Sequence, residues 1–304
     1  MDSVKASLYE TNRTGGEGKG TGMVRPEDIS LLQERLFEVL ICFADFCDRF
    51  GIKYSLASGT CLGAVRDHDF IPWDDDLDVS MRREDYDKLF DLWEKYGDKE
   101  NFSLYRTTSD FCAYVPIGIM RNNRTTFIRE FEEGMTDREL GVKIDIEPLD
   151  EVAEDPGKRR KQKLFAYLYV LFLTQRSPRK KRKKAYLNIV PRVLLAVFRG
   201  KKVRNRIIRI AEKQVKKYNG TGCRELAING LGLGVIWQKE HITELTKAEF
   251  HGKEFNIPAD YDDYLKRRFR DYMQKPPVEK RLPQDTPAYY DLNLPYREYL
   301  REKK

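Results

Sequence analysis

The feature that most narrows what this 304-residue chain can fold into is an acid-apolar-acid-apolar run, Asp76-Leu77-Asp78-Val79. Successive side chains of a strand point to opposite faces, so Asp76 and Asp78 share one face while Leu77 and Val79 enter a core on the other. Two carboxylates held side by side repel, and burial raises the cost, so the arrangement needs a cation or a shared proton to offset it. Oxygen ligands at this spacing suit Mg²⁺, with Mn²⁺ as an alternative ion, because magnesium takes one or two carboxylates plus substrate phosphates. Upstream, Ser58-Gly59-Thr60 reads as a small turn. Gly59 would let the backbone approach a phosphate, and Ser58 and Thr60 would donate to it. Between turn and acids, Pro72 biases Ile71 to extended geometry and Trp73 supplies an anchor for the acid loop. A solvated acid loop needs no such anchoring.

Helical spacing of Ile29, Leu32, Leu36, Val39, Leu40 and Phe43 predicts a helix. It opens at Pro26-Glu27-Asp28, whose acids suit the macrodipole, and stops at Gly51. Residues 52–57 predict a strand entering the turn, 61–66 a short helix, 77–80 the acid strand and 83–96 a helix. Arg66 has the fork to hold a phosphate, with pairing to a neighbouring acid as its other use. Residues 102–107, 114–121 and 125–129 read as strands. Next, Val142, Ile144 and Ile146 fill one strand face and leave Lys143, Asp145 and Glu147 on the other. Residues 225–229 and 235–237 predict short strands around Gly230, Gly232 and Gly234. That glycine cluster lacks the Lys-Ser/Thr ending of a phosphate loop and reads as a turn.

Charged residues make up 35% of the chain, and its five scattered cysteines lack C-x-x-C spacing, which argues against a disulfide framework or a zinc site and for a reducing, cytoplasmic setting. His68, His241 and His251 are not at metal-ligand spacing and are expected on the surface. Neither a G-x-S-x-G motif nor a cysteine–histidine context points to covalent hydrolase chemistry. Residues 1–22 have no apolar core, so they predict a disordered tail rather than a signal or a span.

The formal net charge of +7 hides an asymmetry: residues 156–217 hold 22 Lys and Arg against the single acid Glu212, an excess of 21 that leaves −14 for the remainder. Within this block two apolar patches, 164–173 and 187–198, fall short of the ~20 residues a membrane span needs. Apolar stretches flanked by Lys and Arg fit helices lying on an anionic membrane surface. A packed core with a solvated basic face is the other reading.

The run Ser58-Gly59-Thr60-Cys61-Leu62-Gly63-Ala64-Val65-Arg66, followed by Phe70-Ile71-Pro72-Trp73-Asp74-Asp75-Asp76-Leu77-Asp78-Val79, resembles the signature of the LicD family of phosphotransferases, within the nucleotidyltransferase superfamily. Cys61 stands where members often carry Leu. The resemblance implies an α/β (α+β) fold: a nucleotidyltransferase-like mixed-sheet core over 23–155, a basic helical insert over 156–220, and a C-terminal helical region over 221–304 packed on the core. Ile119 to Phe127 resembles the family's substrate-side strand and turn, making Arg121 a phosphate or base contact, with a plain surface arginine as the alternative. The family's third carboxylate matches Asp145. Residues 255–265 and 269–277 resemble its C-terminal helix motif, with Phe269-Arg270 in place of the usual Tyr-Gly.

The implied activity is transfer of a phosphorylated small alcohol, phosphocholine foremost, from a CDP-alcohol donor to a glycan or lipid-linked glycan acceptor. Asp76, Asp78 and Asp145 would hold the metal, and Ser58, Gly59, Thr60, Arg66 and Arg121 the donor. The enzyme would be cytoplasmic and peripheral at the inner membrane face, with nucleic acid not the expected partner. Two other classes fit the composition: a nucleotidyltransferase acting on RNA or a small molecule, and a non-catalytic membrane or nucleic-acid adaptor.

Overall fold

A computed structural model of the chain describes residues 18–108, 111–175, 189–228 and 232–303. Its strands are β1 (Lys19–Gly20), β2 (Ser55–Leu56), β3 (Asp78–Arg82), β4 (Phe102–Tyr105), β5 (Gly118–Asn122), β6 (Thr126–Arg129), β7 (Lys143–Glu151), β8 (Glu225–Ile228), β9 (Ile236–Gln238), β10 (Leu245–Phe250), β11 (Lys253–Pro258) and β12 (Pro287–Asp291). The α-helices are α1 (Ile29–Phe50), α2 (Ser58–Arg66), α3 (Arg83–Tyr96), α4 (Pro156–Thr174), α5 (Ile189–Val197), α6 (Lys201–Val215), α7 (Lys239–Thr243), α8 (Tyr261–Phe269) and α9 (Tyr296–Glu302).

The fold is mixed α/β, as expected. The main sheet runs β2-β3-β7-β5-β4, with β8 and β9 added beyond the C-terminal half of β7. Its central pair β3–β7 is parallel and the other pairs are antiparallel. Leu77, Val79, Met120, Ile144 and Ile146 are buried in one cluster with Leu36, Leu40 and Phe43 of α1 and Leu89 and Trp93 of α3. Each such side chain contributes about 1.5–3 kcal/mol. Helix α1 ends where expected: Gly51 takes a left-handed φ of 59° and its N–H reaches the Asp48 and Cys47 carbonyls.

Helices α4 and α6 pack against each other, and Arg159, which pairs with Glu225 of β8, and the buried amide of Gln162 tie them to the sheet. Gln162, 1% exposed, donates to the Glu151 and Val215 carbonyls at 2.8 and 3.0 Å and accepts from Ala153 N–H at 3.0 Å. Arg83 grips the buried Asp150 with two hydrogen bonds of 2.8 and 2.7 Å. No described helix is long and apolar enough to cross a membrane.

Several local expectations are corrected. Residues 18–22 are ordered into the fold: β1 pairs with β12, and Gly18 N–H donates to Asp28. The remaining residues of the expected tail, 1–17, lie outside the described residues, as do the basic cluster 176–184 and Gly230. Asp28 serves packing rather than the helix dipole, since it is fully buried and accepts from Arg25, Gly18 and Tyr290. Residues 253–258 form a hairpin strand, and the C-terminal helix starts only at Tyr261.

Arg121 is the largest correction. It is fully buried in the sheet, with Nη2 on Glu132 at 2.6 Å, Nη1 on the Gly141 carbonyl at 2.7 Å and Nε on the Tyr105 hydroxyl. A guanidinium buried in this way, with all three nitrogens engaged, is a structural ion pair and is shielded from a nucleotide. Burial pushes the Glu132 carboxyl upward, but the Arg121 and Arg129 charges outweigh it and hold it at about 2. Its folded value lies below the ordinary 4.5, so the stability it contributes is present above pH 4.5 and is lost as pH falls toward 2. Glu132→Gln should cost about 3–5 kcal/mol at neutral pH by stranding Arg121. In urea titrations, the gap between wild type and variant should narrow from pH 4.5 downward. A gap that does not change with pH would count against the ion pair.

Candidate active site

The parallel register of β3 and β7 sets Asp78 directly beside Asp145 and Ser80 beside Glu147. The backbone continues the pairing one residue upstream, where Asp145 N–H donates to the Leu77 carbonyl at 2.9 Å. Leu77 and Val79 are fully buried and Asp76 and Asp78 half-buried, which is the alternation read from the sequence. Asp76 and Asp78 therefore share a face with Asp145 and Glu147, and Asp74 packs against them.

Burial pushes Asp74, Asp76, Asp78 and Glu147 all upward. Neighbouring carboxylates add to the effect: Asp76 on Asp74, Glu147 on Asp78, and Asp145 on Asp76, Asp78 and Glu147. Cations offset part of this charge: Arg66 acts on Asp74, Arg268 on Glu147, and Lys143 on Asp76 and Asp78. Lys143, 7% exposed, places Nζ 2.6 Å from Asp145 Oδ2 and opposes the upward push on Asp76 and Asp78.

Three buried polar atoms at this face have no hydrogen-bond partner: Asp145 Oδ1, Glu147 Oε2 and Ser58 Oγ. Buried polar groups are normally satisfied, so orphaned oxygens beside crowded carboxylates fit a divalent cation and its oxygen ligands. The oxygens of Asp76, Asp78 and Asp145 do not all approach within 4.8 Å of one another. Among the described residues, the group that does is His241, Asp260 and Asp263. There the acids are already engaged: Asp260 caps α8 and Asp263 accepts from Arg267. Magnesium does not require a closed protein cage, so the looser acid face suits it.

The expected turn at Ser58-Gly59-Thr60 is the first turn of α2. Ser58 has φ of 51°, a left-handed conformation that costs a non-glycine residue energy, and its N–H donates to the Tyr264 hydroxyl at 2.9 Å. Thr60 Oγ1 accepts from Asp78 N–H at 2.9 Å, which pins the acid strand to the helix. Gly59 leaves room for Asp74, because a Cβ there would lie 2.8 Å from Asp74 Oδ2.

Arg66 is a further correction. It forks onto Asp67 at 3.0 and 2.8 Å and reaches the Tyr272 carbonyl at 3.2 Å, so its hydrogen bonds go to packing, while its charge still opposes the upward push on Asp74. Adjacent opposite charges claim each other at low entropic cost.

Residues that sequence reasoning passed over complete the site. Asp74 and Glu147 enlarge the acid cluster and Lys143 neutralises part of it. Asp75 accepts from Gln284 and Asp285 N–H at 3.0 and 2.8 Å, so the C-terminal segment clamps the acid loop. Burial still pushes Asp75 up to about 6. Trp73 carries Arg281 5.3 Å above its ring. Strand alternation had already placed Lys143 and Glu147 on the face of Asp145. The clamp joins residues more than two hundred positions apart and leaves no local signal.

Residues 51–127, which carry the Ser58 turn and the acid strand, match the family model described as LicD/FKTN/FKRP, nucleotidyltransferase domain. The match takes in Ser58 through Asp78 and stops short of Asp145. Over 282 residues the chain is 29% identical to the lipopolysaccharide cholinephosphotransferase LicD of Haemophilus influenzae, covering 87% of this chain and 99% of that protein. It is 42% identical over 95 residues to an uncharacterized protein of Rickettsia prowazekii, covering 31% of this chain and 36% of that one. The resemblance to the LicD family read from the 58–79 motif is thus borne out.

Two outcomes follow from the geometry. Gly59→Ala should remain folded, since alanine is the better helix former by about 1 kcal/mol, yet displace the Asp74 carboxylate. Turnover should drop by about 10²-fold, the cost of a displacement near 1 Å. Asp78→Asn relieves buried repulsion, so its melting temperature without divalent cations should rise, by roughly 2–4 °C per kcal/mol relieved. If wild type binds Mg²⁺ at this face, the ion should stabilise it by about 2.7 kcal/mol at a hundredfold excess over Kd, and that gain should vanish in Asp78→Asn. Equal gains in melting temperature with Mg²⁺ for wild type and Asp78→Asn, or no gain in either, would count against a cation held by this carboxylate.

Proposed function

We propose that the protein is a metal-dependent phosphotransferase. It moves a phosphorylated small alcohol, phosphocholine from CDP-choline before ribitol or glycerol phosphate, onto a hydroxyl of a cell-surface glycan or its lipid-linked precursor. It works as a peripheral protein at the inner face of the membrane. The observation that carries this reading is the pairing of Asp78 with Asp145 across β3 and β7, with Asp145 Oδ1 and Glu147 Oε2 left unsatisfied. The family match and the cholinephosphotransferase relative support the transferase part directly.

The step needs positioning and charge stabilisation rather than a covalent nucleophile. The acceptor oxygen attacks the phosphorus that bears the alcohol, the bond to CMP breaks, and the hydroxyl proton passes to a carboxylate, for which Asp145 is suited. Mg²⁺ (or Mn²⁺) held by Asp76 and Asp78 would neutralise the diphosphate charge, and Asp145 would complete its shell if it does not take the proton. Ser58 Oγ, buried and unpaired, is available to orient the donor phosphate. Lys143 balances the carboxylates until substrate arrives.

The experiment supplies a panel of CDP-alcohols with a glycan acceptor and measures CMP release. Wild type should release CMP, CDP-choline should lead the panel, and Asp76→Asn should fall at least about 10³-fold, the loss expected when stabilisation of the transferring group is removed. Pyrophosphate release from a nucleoside triphosphate with RNA, in place of CMP, would overturn the reading in favour of a polymer-directed nucleotidyltransferase.

A further inference from the structure

We propose that α5, with the outer faces of α4 and α6 beside it, is the element that seats this protein on an anionic lipid bilayer. Of the 14 large apolar side chains exposed among the described residues, nine lie between Leu164 and Ile210. On α5 the inner side packs, with Leu194 and Leu195 against the α4–α6 cluster and Phe198, just beyond the helix, 6.2 Å from Phe172. The outer side does not: Ile189, Val190, Val193 and Val197 are 59, 64, 53 and 66% exposed.

Cations border these apolar side chains and no acid does. Arg192 precedes Val193, Arg199 follows Phe198, and Lys202 and Arg204 flank Val203; no acid occurs between Pro156 and Glu212. A protein partner would call for a rim of mixed polar character, and this rim is basic throughout. Apolar residues interleaved with Lys and Arg, whose stems can lie along lipid while their heads stay in water, match the boundary between headgroups and acyl chains. Charge complementarity selects anionic lipid, each basic residue near the surface being worth about 1 kcal/mol. No described helix can cross the bilayer, so the contact lies in the plane of the surface. The proposal deepens the membrane-side reading of the acceptor, but it concerns binding alone and needs neither donor nor acceptor.

The test is co-sedimentation of the full chain with vesicles of pure phosphatidylcholine or with phosphatidylglycerol added, across a salt series. The expected result is partition onto the anionic vesicles only, weakening with salt. Val193→Glu/Val197→Glu and, separately, Arg199→Glu/Lys202→Glu should each reduce partition at least about tenfold. Val278→Glu, which places a charge at an apolar side chain 72% exposed elsewhere, should change nothing. CMP release with a soluble acceptor should be untouched in all three variants, so loss of lipid binding and loss of the proposed chemistry can be told apart. Equal binding to neutral vesicles, or full binding by the α5 variants, overturns the proposal. Two other results do so as well: self-association abolished by Val193→Glu/Val197→Glu, and preferential binding of single-stranded RNA over anionic vesicles.

Discussion

Asp78 and Asp145 face each other across the one parallel strand pair of the main sheet, and the local structure is arranged around the repulsion this creates. With Asp74, Asp76 and Glu147 added, the face gathers acid in a setting where burial alone penalises charge. A strand pair so loaded holds only if apolar contacts on the opposite face outweigh the electrostatic cost. Leu77, Val79, Ile144 and Ile146, all fully buried, supply those contacts. The same pleat that packs the core thus forces the carboxylates together. Lys143 offsets part of the charge from within β7 itself.

The surrounding elements fix the geometry of this face. Thr60 binds the backbone of Asp78, Gly59 leaves room for Asp74, and Tyr264, from α8, ties down the strained N-terminus of α2. The segment at Gln284 and Asp285 closes over Asp75. β12 then joins β1 to β6, so the described N-terminal and C-terminal segments brace the same core. An acid cluster on a loose loop would spread to lower its energy. Here the side chains are held in place, and a shared proton or a bound cation is what can relieve the repulsion.

The helices from Pro156 to Val215 divide their two properties between two faces. Gln162 and the inward Tyr169, Phe172, Ile208 and Ala211 fasten them to each other and to β7, while their cations and several valines and isoleucines point out. Stability and surface chemistry can therefore change separately in this part of the molecule, whereas at the acid face the same residues serve both.

The sequence by itself determined the elements whose signal is periodic and local. These are the apolar stripe of α1 with its stop at Gly51, the alternation that puts Asp76 and Asp78 on one face and Lys143, Asp145 and Glu147 on another, and the concentration of basic charge beyond Pro156. Tertiary structure decided what depends on which distant group arrives first. Arg66 and Arg121 have the same fork; Asp67 stands next to Arg66 in the sequence, but nothing local says that the Tyr272 carbonyl joins it there, or that Glu132, Gly141 and Tyr105 claim Arg121. Nor does local sequence show that Gly59 makes room for Asp74 or that residues 284–285 cap Asp75. Alternation is a property of a few bonded neighbours and can be read along the chain. Ion pairing and close approach depend on distances that exist only once the chain has folded back on itself.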